Sequence, residues 1–374
     1  MDYYESPVSA TQNYMASYAG SISCSECHAE LFKTHVETAH FNTSKLADGQ
    51  TIKASFQKGS NILDLKDVVF TMLNENGAFY QHTKIKNRNI DIPPKKFDIV
   101  IGSGVLGQTY LTWQDDKLIQ LQPSYHSSSA TWINSLGYPE YFTERPIREA
   151  CLKCHVTYAE NKHFSGDGNQ FFKDRIMFGV DCEKCHGPSL EHVNYQRQNT
   201  GETAGFVVKF DTLSRQQRLD VCAQCHSGRR TTVQGNPFYF LPGENLEDYS
   251  KSTYEENNAT LDVHGNQYGL LTQSECFKQT PSMDCASCHD PHKNQRGNTD
   301  YFNMKCIGCH SGEKNTCAAE ASKMQAMTQD CIGCHMPAMP SKTLTAQLAK
   351  DSLETSFYIR THLIGIYPEQ QLNE

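Results

Sequence analysis

Between residues 55 and 125 the apolar positions fall in short strand-like runs broken by turn residues, with no helical stripe. Val68-Val69-Phe70-Thr71-Met72-Leu73 leads through Asn74-Glu75-Asn76-Gly77 into Ala78-Phe79-Tyr80, a hairpin pattern. Phe97-Asp98-Ile99-Val100-Ile101, Tyr110-Leu111-Thr112-Trp113 and Lys117-Leu118-Ile119-Gln120-Leu121 follow, separated by Gly-rich and Asp-Asp turns. Residues 55–145 therefore read as a β-rich insert with a small antiparallel module at its heart. It divides an N-terminal segment, 1–54, from a third region, 146–374. Gly102-x-Gly104-x-x-Gly107 imitates a dinucleotide fingerprint, but no βαβ unit surrounds it and the turn reading prevails. Helical patterns are short: residues 29–40, 213–226 and 316–330. No stretch approaches 18 apolar residues, so no membrane span is expected.

Composition sharpens this picture. Hydrophobic residues make up 38% of the chain, and mean hydropathy is −0.60, thin material for the cores that 374 residues would ordinarily build.

The cysteines supply what the cores lack. Fourteen of the 16 fall into seven Cys-x-x-Cys-His strings: Cys24/Cys27/His28, Cys151/Cys154/His155, Cys182/Cys185/His186, Cys222/Cys225/His226, Cys285/Cys288/His289, Cys306/Cys309/His310 and Cys331/Cys334/His335. Random placement would yield roughly 0.03 such strings. Two thiols three positions apart can add to the two vinyl groups of one haem, and the adjacent His then sits beneath the iron. Zinc sites and thioredoxin-like pairs do not require His after every second Cys. The cofactor expected is covalent haem c, seven per chain. The fold class expected is mainly α with much irregular structure organised around stacked haems, plus the inserted β module. Cys276 and Cys317 lie outside the motifs and are expected to pair as a disulfide in an oxidising compartment.

The first motif stands alone at residue 24, and six more fill residues 151–335, the last three only 21 and 25 residues apart. Neighbouring macrocycles must nearly touch. Seven of the 16 His are proximal; nine remain for the opposite face of each iron. His192 and His292 each follow a motif across a Pro turn. His40 stands twelve residues beyond His28, about 18 Å along a straight helix, and must serve another iron. His264 and His362 sit in motif-free, aromatic-rich segments. His126 and His35 complete the candidate set, ahead of His82 and His163. Met336 and Met339 are poor alternatives, because a Met beside a proximal His points away from the iron.

Cys185-His186-Gly187-Pro188 running to His192, Cys288-His289-Asp290-Pro291-His292 and Cys334-His335-Met336-Pro337 resemble the multihaem cytochrome family related to the tetrahaem cytochrome of ammonia oxidisers. Ile101–Gly104 through Arg145–Ile147 also resembles multihaem proteins of environmental bacteria, and the resemblance spans about residues 20 to 365. It implies that His192 and His292 are distal ligands and that haems pair in stacked and perpendicular arrangements. The departure is the count, seven motifs rather than four or eight.

The formal charge is −8. Propionates would add about 14 negative charges and ferric cores return about 7, leaving roughly −15. Nucleic acid is excluded as a partner, and a redox protein with a basic patch suits such a surface. Haem c is attached outside the bacterial cytoplasm, so export to the periplasm, the outer-membrane surface or the exterior is expected. The start, Met1-Asp2-Tyr3-Tyr4-Glu5, reads as what remains after removal of a targeting segment, and a lipid anchor is left open. The leading function is electron carriage among bis-His haems, with redox proteins or an extracellular acceptor as partners and an oligomer or filament left open. The rival is reduction of a nitrogen or sulfur oxyanion at one open iron, sought near His126 and Tyr125.

Overall fold

The computed structural model describes residues 14–163, 168–233, 235–253, 261–311, 330–348 and 354–368. Strand and helix are nearly balanced, about 29% against 27%, so the expectation of a mainly α chain is corrected. Two causes act together. A Cys-x-x-Cys-His string needs only one helical turn, so most motif helices stop after four or five residues. The segments between motifs, too poor in apolar stripes for long helices, satisfy their backbone as hairpins.

The strands run β1 (Ser44–Leu46), β2 (Ile62–Asp64), β3 (Val68–Glu75), β4 (Ala78–Ile85), β5 (Ile90–Lys96), β6 (Ile99–Ile101), β7 (Gly107–Gln114), β8 (Lys117–His126), β9 (Thr131–Asn134) and β10 (Arg145–Pro146). After these come β11 (Val156–Asn161), β12 (Phe171–Phe178), β13 (Arg230–Thr232), β14 (Ser250–Ser252), β15 (Ala338–Ala346) and β16 (Thr355–Arg360). The described helices are α1 (Ser21–Ser25), α2 (Ala29–His35), α3 (Glu149–Leu152), α4 (Cys182–His186), α5 (Leu190–Gln198), α6 (Arg215–His226), α7 (Gln267–Gln273), α8 (Glu275–Gln279), α9 (Thr299–His310) and α10 (Cys331–His335). The helix expected over 316–330 lies almost wholly outside the described residues, as does Cys317.

Strands β2-β3-β4-β5 form one antiparallel sheet. A second is ordered β1-β6-β7-β8-β10, with β9 also on β8. Period-two alternation explains how they meet. Val68, Phe70 and Met72 of β3 are fully buried against Phe97, Val100, Tyr110, Leu121 and Trp132. Burying each such side chain contributes about 1.5–3 kcal/mol. The opposite face of the second sheet carries Ile99, Leu111 and Leu118, which pack on Leu152, Val156, Tyr158 and Phe171 beside the second motif. One sheet thus separates a haem-free core from the motif region.

Two glycine sites fix the seams. Gly102 has φ +103°, and a Cβ there would stand 2.7 Å from the Gly107 carbonyl oxygen, so the Gly102–Gly107 string is a strand-to-strand turn. Gly179 has φ +73°, and a Cβ would stand 2.3 Å from the Phe41 carbonyl oxygen, where the N-terminal segment crosses the motif region.

Candidate haem-ligating sites

Each motif places Cys at i, Cys at i+3 and His at i+4. On one helical turn those three side chains share a face. The turn is nucleated locally at three motifs by a preceding Asp: Asp181 accepts from Cys182 N, Asp284 from Ser287 N and Asp330 from Gly333 N. Elsewhere the motif closes a longer helix, as Cys222–His226 does in α6 and Cys306–His310 in α9.

The first, second and fifth motifs depart from that one-turn pattern: α3 stops at Leu152, short of Cys154 and His155, and the fifth motif holds only the 3-10 turn Cys285–Ser287. Helix α1 stops at Ser25, so Cys24 is helical while Cys27 lies beyond the helix end, and His28 is the cap from which α2 starts. The Cys27 and His28 N–H groups still donate to the Cys24 carbonyl, at 3.3 and 2.9 Å, so the turn itself persists. Cys27 is also exposed, as are Cys151 and Cys309, whereas the other motif thiols are half-buried. At these three positions the chain does not enclose the thiol assigned to hold a haem.

The imidazoles meet in pairs drawn from distant segments. His186 and His292 have ring centres 6.1 Å apart and nearly parallel at 20°. His289 and His362 stand 6.2 Å apart at 23°, and His40 and His226 stand 6.1 Å apart at 67°. A metal–imidazole bond is about 2 Å and a ring nitrogen lies about 1.1 Å from its ring centre, so two rings sharing one metal stand about 6.2 Å apart. The donor set fits an iron held between two rings. Among the described residues no group of three or more His, Cys, Asp or Glu is disposed to hold a bare ion.

Protonation state agrees with that chemistry, since only neutral imidazole ligates. Burial pushes His40, His155, His186 and His362 down to about 4. It also lowers His226, His264, His289 and His126. His40 and His289 have protein around most of the ring yet are solvent-exposed by accessible surface. Several rings are also oriented through Nδ1, leaving Nε2 for a ligand. His155 Nδ1 meets Thr43 Oγ1 at 2.9 Å, His226 Nδ1 meets Gln267 Oε1 at 3.2 Å, and His335 Nδ1 meets the Gly365 carbonyl oxygen at 2.7 Å. His192 Nδ1 likewise meets the Gly205 carbonyl oxygen at 2.7 Å. The sequence named none of these orienting partners: a Thr, a Gln or a bare carbonyl carries no signal.

The remaining rings are distributed unevenly. His264 is the charged-group neighbour of His155, held by its backbone N–H to Asp262 Oδ1 at 2.8 Å. His192 opens α5, whose Arg197 pairs with Glu26 of the first motif at 2.7 Å. His126 is buried, bonded through Nδ1 to Ser129 Oγ at 2.7 Å and packed 4.8 Å from the Phe357 ring. Phe357 lies on β16, the partner of the strand that follows His335. His40 does not end a continuous helix, because α2 stops at His35 and Thr38 Oγ1 donates back to the His35 carbonyl. His35 is buried 6.4 Å from His292, with Nε2 3.4 Å from Asp181 Oδ1. His82 sits on β4 beside Glu75, and His163 is exposed. Among the described residues neither touches a motif His. His310 is exposed at the end of α9, with no other imidazole in ring contact among the described residues.

Thiols of different motifs also approach one another. Cys24 and Cys182, Cys154 and Cys225, and Cys222 and Cys285 lie within hydrogen-bond reach. Cys306 is a neighbour of Cys288 and Cys331. Cys276 lies beside Cys288, Cys306 and Cys309, and burial raises its thiol pKa. The motifs adjoin in the series one, three, four, five, six, seven, if Cys185 beside Cys222 joins three to four, with two branching at four.

Residues 108–187, which include the second and third motifs, match the family described as cytochrome c554 and c-prime. Over 201 residues the chain is 24% identical to the multihaem cytochrome MtrA of Shewanella baltica (strain OS185), covering 50% of this chain and 52% of that protein. The chain thus spans about half the length of that curated relative. The fold resembles that of the outer cell wall cytochrome OcwA, with a TM-score of 0.59 at 16% identity over 93% of this chain and 79% of that one. These likenesses support a multihaem c-type cytochrome, and with it covalent haem c. Among the described residues no helix is long and apolar enough to cross a membrane.

Proposed function

We propose that this chain is an exported electron carrier that binds seven haem c groups, one at each motif, and holds six of their irons between assigned pairs of histidines. Bound haem c supplies the one-electron change at iron. The chain's residues do the rest. The thiol pairs at i and i+3 fix each macrocycle, and the proximal His follows at i+4. His40, His192, His264, His292, His362 and His126 are assigned to the motifs of His226, His28, His155, His186, His289 and His335 respectively. The observation that carries the reading is the set of three cross-segment imidazole pairs 6.1–6.2 Å apart. Imidazole on both sides blocks a small molecule from the iron and favours transfer over chemistry. A redox protein or an extracellular acceptor is the partner class, and the adjoining motifs offer a route from residue 24 to residue 335.

The reductase reading attaches to the sixth motif, because among the described residues no imidazole is in ring contact with His310 and none is assigned to it. Low-temperature EPR of the oxidised protein, with carbon monoxide binding to the reduced form, tests both. Seven low-spin irons and no carbon monoxide adduct support the carrier. One high-spin iron that binds carbon monoxide stoichiometrically and turns over an oxyanion overturns it.

A further inference from the structure

The loop between β1 and β2 is tied to the Gly102–Gly107 turn, and a cavity of about 240 Å³ lies between them. Lys45, Gln50, Lys53 and Ser103 line it, together with the buried Val100 and Gln108. No Cys or His lines it, so it lies apart from the seven motifs. Local chemistry holds its shape. Gln108 Nε2 donates to the Thr51 carbonyl at 2.9 Å, and its Oε1 accepts from Lys53 N at 2.8 Å. Asp48 Oδ1 accepts from Gln50 and Thr51 N at 2.8 Å each, which closes the loop on itself. On the other side, Gly102 N donates to the Thr43 carbonyl at 2.7 Å. A Cβ on Gly104 would stand 2.9 Å from Lys53 Cγ, so that glycine leaves the space in which the lysine stem lies.

The polar groups left over in this cavity are of one kind. Among the described residues neither Lys45 nor Lys53 has a carboxylate within ion-pair distance. Lys45 Nζ lies 5.3 Å from the Phe41 ring centre. Asp48 feels the Lys45 charge, but its Oδ1 is engaged by the loop backbone and it does not line the cavity. The side chains of Ser103 and Gln50 also lack a hydrogen-bond partner among the described residues. Two cations, a hydroxyl and an amide therefore line one small opening in a chain whose formal charge is −8. On so acidic a molecule, a concavity carrying two uncompensated ammonium groups is a local reversal of sign that draws anions.

We propose that this cavity binds a small inorganic oxyanion of the phosphate or sulfate class, held by the ammonium groups of Lys45 and Lys53 with Ser103 and Gln50 as hydrogen-bond donors. Size selects the class. Sites for drug-sized ligands run from about 300 to 1,000 Å³, and a water molecule's share of liquid volume is about 30 Å³. The space therefore suits one oxyanion with a few waters, and no macrocycle. Charge selects within the class. Like charges lining one cavity repel each other, and a doubly charged anion beside both relieves that repulsion better than chloride does. The inference stands independently of the haem reading.

Calorimetric titration of inorganic phosphate into the matured full-length protein, at low ionic strength, should show one saturable site. Sulfate should compete for it, and chloride at equal ionic strength should not. Lys45→Met and Lys53→Met keep most of the apolar stem and remove the charge. Each should weaken binding by about tenfold or more, as loss of a charge-assisted hydrogen bond does. Lys53→Arg keeps the charge and should bind within about threefold of the parent. Lys66→Met removes an exposed lysine outside the cavity and should change nothing. No saturable uptake, displacement by chloride as effective as by sulfate, or unchanged affinity in both Met variants of the cavity overturns the proposal. Lys53 is exposed, so if Lys45→Met fails to mature, Lys53→Met and Lys53→Arg decide it by the same readings.

Discussion

Replacing His40 by Ala is the sharpest probe of the ligand assignments, because the residue lies 186 positions from the motif it is assigned to serve. Its ring faces His226 at 6.1 Å, and no other described imidazole is in ring contact with His226. Gln267 still orients the proximal ring through Nδ1. Cys222 and Cys225 are untouched, so the haem should remain attached while its iron loses one strong-field donor. The low-spin signal of one haem should become high-spin, and that site's potential should rise. Spin-quantified EPR of the oxidised variant reads the loss, intact mass verifies seven haems, and added imidazole should restore the low-spin signal. His82→Ala is the control. Its half-exposed pair with Glu75 is worth about 0–1 kcal/mol, and the spectrum should not change. A fully loaded His40→Ala protein with undiminished low-spin content would refute the assignment, whatever its stability.

Intact mass of the denatured parent should exceed the polypeptide by seven haem masses, with seven irons per chain by metal analysis; zinc in their place would end the cofactor reading. Acid should release histidine ligands, proximal as well as distal. Burial lowers His40, His155, His186 and His362 to about 4 from an unfolded value near 6.5, so the stability from neutral burial is full above 6.5 and lost as pH falls towards 4. A spectral pH titration should hold from 8 to 7 and gain high-spin character below 6, and a low-spin spectrum unchanged at pH 4 would contradict this. Gly179→Ala should cost about 1–3 kcal/mol for the positive φ alone, with the clash against the Phe41 carbonyl added; an unchanged denaturation midpoint would show that the seam relaxes freely.

The chemistry was more legible than the scaffold. Seven strings of Cys-x-x-Cys-His can be read directly because thioether attachment demands fixed spacing, and Asp181, Asp284 and Asp330 before three of them announce a helix start. The spacing does not say how each turn is built or covered, so the broken helix at Cys27 and its exposure could not be read. The strand pattern around Val68–Tyr80 was plain, since alternation over eight residues has one structural meaning. Elsewhere local signals failed. β1 is three residues long and becomes a strand only by pairing with β6, so Ser44-Lys45-Leu46 gives no warning. β11 and β12 pair across a segment that reads as a loop. The mainly α expectation erred because it extended the motif turns into helices; the chain needs one turn per site and no more. Which imidazole faces which was also unreadable, since no local pattern links residue 40 to 226 or 362 to 289.

That last point bears on how the molecule is held together. The β sheets enclose a core of their own, in which Phe70, Met72, Phe97 and Tyr110 are almost wholly buried. The motif region has little of the kind: α4, α6 and α9 carry few buried apolar side chains, and each facing ring comes from another segment. Such helices of five to twelve residues are marginal without tertiary support. Their order should therefore depend on haem ligation, whereas that of the sheets should not. Hydrogen exchange on full-length chain produced without haem attachment tests the difference. Amides of β3, β4, β7 and β8 should stay protected, while those of α4, α6 and α9 should exchange within the earliest time points. Equal protection in both regions of the haem-free chain would refute the dependence, and equal loss would mean that the sheets, too, lean on the haem-bearing part through Leu111, Leu118 and Tyr158.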